Sequence, residues 1–150
     1  NRPANKFLPV GVFNLSITPS AVIEETHQRM SREFHPKGGE WTRQHMPRTV
    51  LCFIDEGGGS LETRRRRARE AGEKALGNYW RAVEGTLDPR RIEQAVDNAL
   101  VGTADDIREQ MKSRFNADDR LMLWFDFNNH DNESVRQSMR DFMEKVAPHV

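Results

Sequence analysis

The stretch Thr49–Ile54, TVLCFI, constrains the fold most. Successive side chains of a strand point to opposite faces, so a strand with one wet face alternates apolar and polar residues. Val50, Leu51, Cys52, Phe53 and Ile54 are apolar on both faces. Such a strand must be covered on both sides, as parallel strands between helical layers are. Its β-branched and aromatic residues suit a pleated, buried surface.

Two more stretches read as strands of the same kind, PVGVFNL at Pro9–Leu15 and RLMLWFD at Arg120–Asp126. Helical periodicity fills the intervals. Thr18 and Pro19 predict a helix start, with Val22, Ile23, Thr26, Met30 and Phe34 on one face and an end near His35–Pro36. Trp41 to Arg48 reads as an irregular polar connection. A long helix is expected from about Leu61 to Val83, with Ala68, Ala71, Ala75, Leu76, Tyr79 and Val83 as its apolar stripe. Asp88–Pro89 restarts the chain as a helix carrying Ile92, Ala95, Val96 and Ala99, which Gly102 breaks. Thr103 caps the next, with Asp105 and Asp106 in the first turn, where the helix dipole favours negative charge, and Ile107, Met111 and Phe115 inward. The last, capped by Asp131 or Asn132, carries Val135, Met139, Phe142, Met143 and Val146 and stops at Pro148.

The order strand–helix–strand–three helices–strand–helix predicts an α/β chain of parallel βαβ units, with about three strands, five helices and right-handed crossovers. Three parallel strands alone leave both sheet edges open. The pattern implies part of a larger sheet or barrel, or pairing with a second copy into a homodimer.

The 150 residues predict a single domain. Lys plus Arg and Asp plus Glu number 23 each, so the net charge is zero, which argues against a general nucleic-acid binder. No apolar run reaches the roughly 18 residues of a membrane span, and no signal peptide is visible. The single cysteine, Cys52, excludes an internal disulfide framework and suits a reducing, cytoplasmic setting. Mid-strand, it reads as buried and inert.

The C-terminal wording, ALVGTADDIREQM, then DDRLMLWFD, then SMRDFMEKVAP, resembles the C-terminal part of luciferase-like flavin-dependent monooxygenases. Gly102, Thr103, Asp105, Asp106, Val146 and Pro148 match the family's pattern of capped helix, strand and final helix ending in Val-x-Pro. The resemblance is loose over the whole chain and good over residues 99–148. It implies a (β/α)₈ TIM-type barrel, of which residues 1–150 supply the last three units, a partial barrel. It implies an oxidoreductase that oxidises a small organic substrate with oxygen and a reduced flavin, FMN or a deazaflavin, with a flavin reductase as a possible partner. The strands that carry most of the family's flavin contacts have no counterpart here.

Active sites of such barrels lie at the carboxyl ends of the strands. That nominates Asn14, Ser16, Asp55, Glu56, Trp124, Asp126, Asn128 and His130. Asp126 and His130 form the densest polar cluster and are the expected catalytic pair, able to give or orient a proton; the alternative is a helix cap and a solvated loop histidine. Asn14, Ser16, Trp41 and Trp124 are the expected substrate contacts, Trp41 also reading as a surface residue packed on its own loop. Gly58, Gly59 and Ser60, after a strand and before a helix, could cradle a flavin phosphate. Triple glycine and serine are equally a flexible linker or a shortened or engineered lid. Asp55 and Glu56 beside them repel an anion. His27, His35 and His45 match no zinc spacing, so no metal is expected. Arg64–Arg67 reads as a solvated face rather than an RNA-binding patch. The rival reading is a non-catalytic barrel fragment that self-associates through exposed strand edges.

Overall fold

The computed structural model describes residues 18–85, 88–125 and 131–150. Helix α1 (Ser20–Phe34) leads through a 3₁₀ turn at Arg43–His45 into β1 (Arg48–Ile54). Then come α2 (Leu61–Glu84), α3 (Pro89–Asn98), β2 (Leu100–Gly102), α4 (Ala104–Arg114), β3 (Leu121–Trp124) and α5 (Asn132–Lys145), closed by a 3₁₀ turn at Ala147–His149. The expected strand at Pro9–Leu15 lies outside the described residues.

The three strands are parallel, with β1 in the middle and the order β2-β1-β3. The lower half of β1 pairs with β3, from Arg48 opposite Leu121 to Leu51 opposite Trp124. Its upper half pairs with β2, from Cys52 opposite Leu100 to Ile54 opposite Gly102. Every residue of β1 is buried, as its two apolar faces require. Val50, Cys52 and Ile54 face Ile107 of α4 and Phe142 of α5, with Leu100 and Val146 beside them. Leu51 and Phe53 face Ala75 and Leu76 of α2 and Ala95 and Val96 of α3. Helices therefore cover both faces of the sheet. Each large side chain buried this way contributes about 1.5–3 kcal/mol.

β2 corrects the sequence pattern, which extends the helix of Ile92 and Ala95 to Gly102. Three residues are too few to show a period of two, and Ala99 continues the helical spacing of Ala95 and Val96. The break comes at Ala99, whose backbone turns extended. β1 then supplies the hydrogen-bond partners that make Leu100–Gly102 a strand. Two faces are also corrected. On α1, Val22 is exposed and His27 and Ser31 are buried instead. On α5, Phe142 is buried while Met139 and Met143 are exposed. Pro19 stands at the N-cap of α1, with no side-chain cap bond.

An ion network ties the amino ends of the strands together. Arg48 and Asp119, each 4% exposed at the side chain, meet at 3.0 Å. Arg43 bonds Asp119 at 2.9 Å and Glu24 of α1 at 2.6 Å. Arg48 also donates to Ser20 Oγ at 2.8 Å, and its guanidinium lies 4.6 Å from the Phe115 ring centroid.

Candidate functional site

β1 runs three residues past its last partner on β3, and a cleft of about 320 Å³ opens there. Cys52, Phe53, Ile54 and Phe125 form its apolar floor. Ala68 and Ala71 of α2 and Val135 and Ser138 of α5 form the walls. Asp55, Arg67, Asp131, Gln137 and Asp141 line the rim. With β2 on one side of β1 and β3 on the other, this is where strand order reverses. In open α/β sheets such a switch point leaves a crevice at the carboxyl ends of the strands.

The rim charges are held in place. Arg67 grips Asp55 with two parallel bonds, Nε to Oδ2 at 2.7 Å and Nη2 to Oδ1 at 2.6 Å. That guanidinium holds the Asp55 carboxyl below its usual range. Asp141, 5% exposed, accepts from Lys145 Nζ at 2.7 Å and Gln137 Nε2 at 3.1 Å. Glu56 accepts the Ala104 N–H at 2.8 Å, capping α4, with Arg64 and Lys145 each 3.7 Å away. Asp131 caps α5, its Oδ1 accepting the Ser134 N–H at 3.1 Å. Asp55 is ionised at neutral pH, so it accepts hydrogen bonds rather than giving a proton. Burial pushes the Cys52 thiol well above its usual range, which keeps it a thiol.

Among the described residues, the expected site residues do not gather in one place. Asn14, Ser16, Asn128 and the Asp126–His130 pair lie outside the described residues. Trp41 is buried, not on the surface, and sits at the amino end of the sheet. Its backbone N–H donates to Ser31 Oγ at 2.9 Å, its carbonyl lies 2.8 Å from His27 Nε2, and its ring leans on His35 at a 4.4 Å centroid separation. Trp124 is half-exposed on β3 and outside the cleft, while the next residue, Phe125, lines it. Asp55 and Glu56 line the cleft. The α5 rim was missed, although Ser134, Gln137, Ser138 and Asp141 form a polar stripe at helical spacing beside the apolar one.

The glycine run is bound to its own chain. The Gly57 N–H donates to Asp55 Oδ1 at 2.9 Å. The Gly58 carbonyl accepts from Arg67 at 2.9 Å, and Ser60 Oγ accepts the Thr63 N–H at 3.2 Å as the cap of α2. Gly59 adopts a φ of 115°, a conformation suited to glycine. An incoming phosphate would face two carboxylates, with the nearby arginines already paired. This loop does not fit a flavin phosphate. The arginine run is likewise engaged: Arg64 with Glu56, Arg65 with Asp106, Arg66 with Glu70 and Arg67 with Asp55. Among the described residues, no helix is long and apolar enough to cross a membrane.

No family model and no curated protein matches the chain. Among solved structures, the crystal structure of monooxygenase RslO1 from Streptomyces bottropensis superposes with a TM-score of 0.68. The two share a fold. The match has 23% identity and covers 99% of this chain and 44% of that one. The chain thus spans less than half the length of that structure.

Proposed function

We propose that the chain is the C-terminal portion of a luciferase-like, flavin-dependent monooxygenase that acts on a small organic substrate. The observation that supports this is the superposition of nearly the whole chain on part of a monooxygenase. The cleft where β1 outruns β3 suits the substrate side, with an apolar floor and fixed carboxylate acceptors on the rim. When bound, FMN would supply the oxygen chemistry, whereas a deazaflavin would supply hydride transfer. The flavin phosphate would be held by residues other than the Gly57–Ser60 loop. A run of three successive barrel units keeps chain order in the sheet, so the order β2-β1-β3 lends the barrel no support. The proposal rests on the superposition instead. The test uses protein expressed from the whole reading frame that contains these residues. Added FMN or deazaflavin is expected to lose fluorescence with a dissociation constant in the micromolar range, about −8 kcal/mol. Absence of quenching by either flavin at about a hundredfold higher concentration overturns the proposal.

A second reading, self-association without catalysis, draws on the β3 edge, which has no strand beyond it among the described residues. Gln110 closes the β2 edge, donating to the Val101 carbonyl at 2.7 Å and accepting its N–H at 3.0 Å. The β3 edge, LMLW, has no charge or proline to discourage pairing, and Met122 and Trp124 are each 39% exposed there. Light scattering decides it: a dimer that Met122→Lys dissolves supports the reading, and a monomer sinks it.

A further inference from the structure

At the opposite end of the sheet from the cleft, a groove of about 570 Å³ lies between the last turns of α4 and α5 and the start of β3. The core around Val50 and Ile107 has six partly buried apolar neighbours, Met111, Phe115, Leu121, Leu123, Phe125 and Ala147. All of these except Phe125 line this groove. The core is therefore left open on one side, and the opening is apolar.

The mouth carries two basic side chains. Lys112, on the last turns of α4, and His149, in the closing 3₁₀ turn, both line it. Neither side chain has a hydrogen-bond or ion-pair partner among the described residues. Asp119 is the one acidic side chain among the lining residues, and Arg43 and Arg48 already hold it. Burial, which alone would raise its pKa, is outweighed by the Asn116 N–H and these two guanidiniums, so the carboxyl sits below its usual range. The volume falls within the roughly 300–1,000 Å³ of small-molecule sites.

We infer that this groove binds a small amphipathic carboxylate, its apolar tail against Phe115, Leu121 and Leu123 and its head at Lys112 and His149. The inference stands apart from the monooxygenase reading, because the groove and the cleft are at opposite ends of the strands.

Calorimetric titration with decanoate, decanol and acetate tests it. Decanoate is expected to bind one to one with a dissociation constant in the tens of micromolar. Decanol, with the tail alone, is expected to bind at least about tenfold more weakly, and acetate, with the head alone, not to register. The double variant Lys112→Gln/His149→Gln, both exposed positions, should weaken decanoate about tenfold and shift the urea midpoint little. Ala147→Trp, which fills the groove, should abolish binding; if it also lowers the urea midpoint, the charge variant decides alone. Equal affinity for decanol and decanoate, an unaltered charge variant, or no decanoate binding at millimolar concentration overturns the inference.

Discussion

Gly102 shows how one residue serves two elements. It ends β2 opposite Ile54 and immediately precedes Thr103, the cap of α4. Its φ is 134°, in a region side chains avoid, and an added Cβ would come within 2.7 Å of Asp106 Oδ2. Asp106 cannot retreat freely, because its Oδ2 accepts the Thr103 N–H at 3.0 Å and hydroxyl at 2.9 Å. Arg65 holds the same carboxylate from α2, with Nε to Oδ2 at 2.9 Å. Gly102→Ala is therefore expected to cost about 1–3 kcal/mol, read as a lower urea midpoint with an unchanged slope. A change within about 0.5 kcal/mol would show that the loop relaxes around the methyl group.

Among the elements, β2 depends most on others. Leu100, fully buried, anchors it in the core, and β1 bonds one edge. On its other edge, Gln110 of α4 mimics a neighbouring strand at Val101, and Arg114 donates to the Ala99 carbonyl at 2.9 Å. Gln110→Leu keeps much of the side-chain bulk and removes both bonds, leaving the Val101 N–H and carbonyl in need of partners. The expected loss is about 1–3 kcal/mol. The bared edge should also raise the scattering of concentrated solutions. A variant as stable and as monodisperse as the parent would show that water satisfies Val101 and that Gln110 does not seal the edge.

For the whole molecule, arginine–carboxylate pairs join separate segments of the chain: Arg43 with Glu24 and Asp119, Arg67 with Asp55, and Arg65 with Asp106. Each of these carboxylates is held below its usual pKa, Asp106 down to about 2, chiefly by the Arg65 guanidinium. A carboxylate with a depressed pKa binds fewer protons folded than unfolded. Its contribution is then complete above the unfolded value near 4 and is lost as pH falls toward 2. The urea midpoint is expected to change little from pH 7 to 5 and to drop between 5 and 2.5. Asp106→Asn should make that drop shallower. A midpoint as high at pH 2.5 as at pH 7 would mean that the pairs are screened by solvent and contribute nothing measurable.

Much of the architecture was legible in local pattern. The two-sided apolar run of β1 required a covered parallel strand, and the helices capped by Ser60, Asp88, Thr103 and Asp131 begin where hydroxyl or carboxylate side chains can hold the first free N–H groups. Those signals lie within a few residues of one another, so neighbouring chemistry suffices to set them. The site was less legible. Asp55 and Glu56 could be placed from the end of a strand, but the α5 rim could not, because a polar stripe on a helix looks the same facing solvent or a cleft. Nor could pattern show that Trp41 would be buried at the far end, or that the glycine loop would be tied to Asp55 and Arg67. The sequence by itself determined an α/β chain of parallel strands and capped helices. Only the tertiary structure decided that Leu100–Gly102 is a strand and that β1 lies between its two neighbours. It alone decided that a cleft opens at one end of the sheet and a groove at the other. Strand pairing and cavities depend on contacts between residues tens of positions apart, and the residues within any one stretch do not specify them.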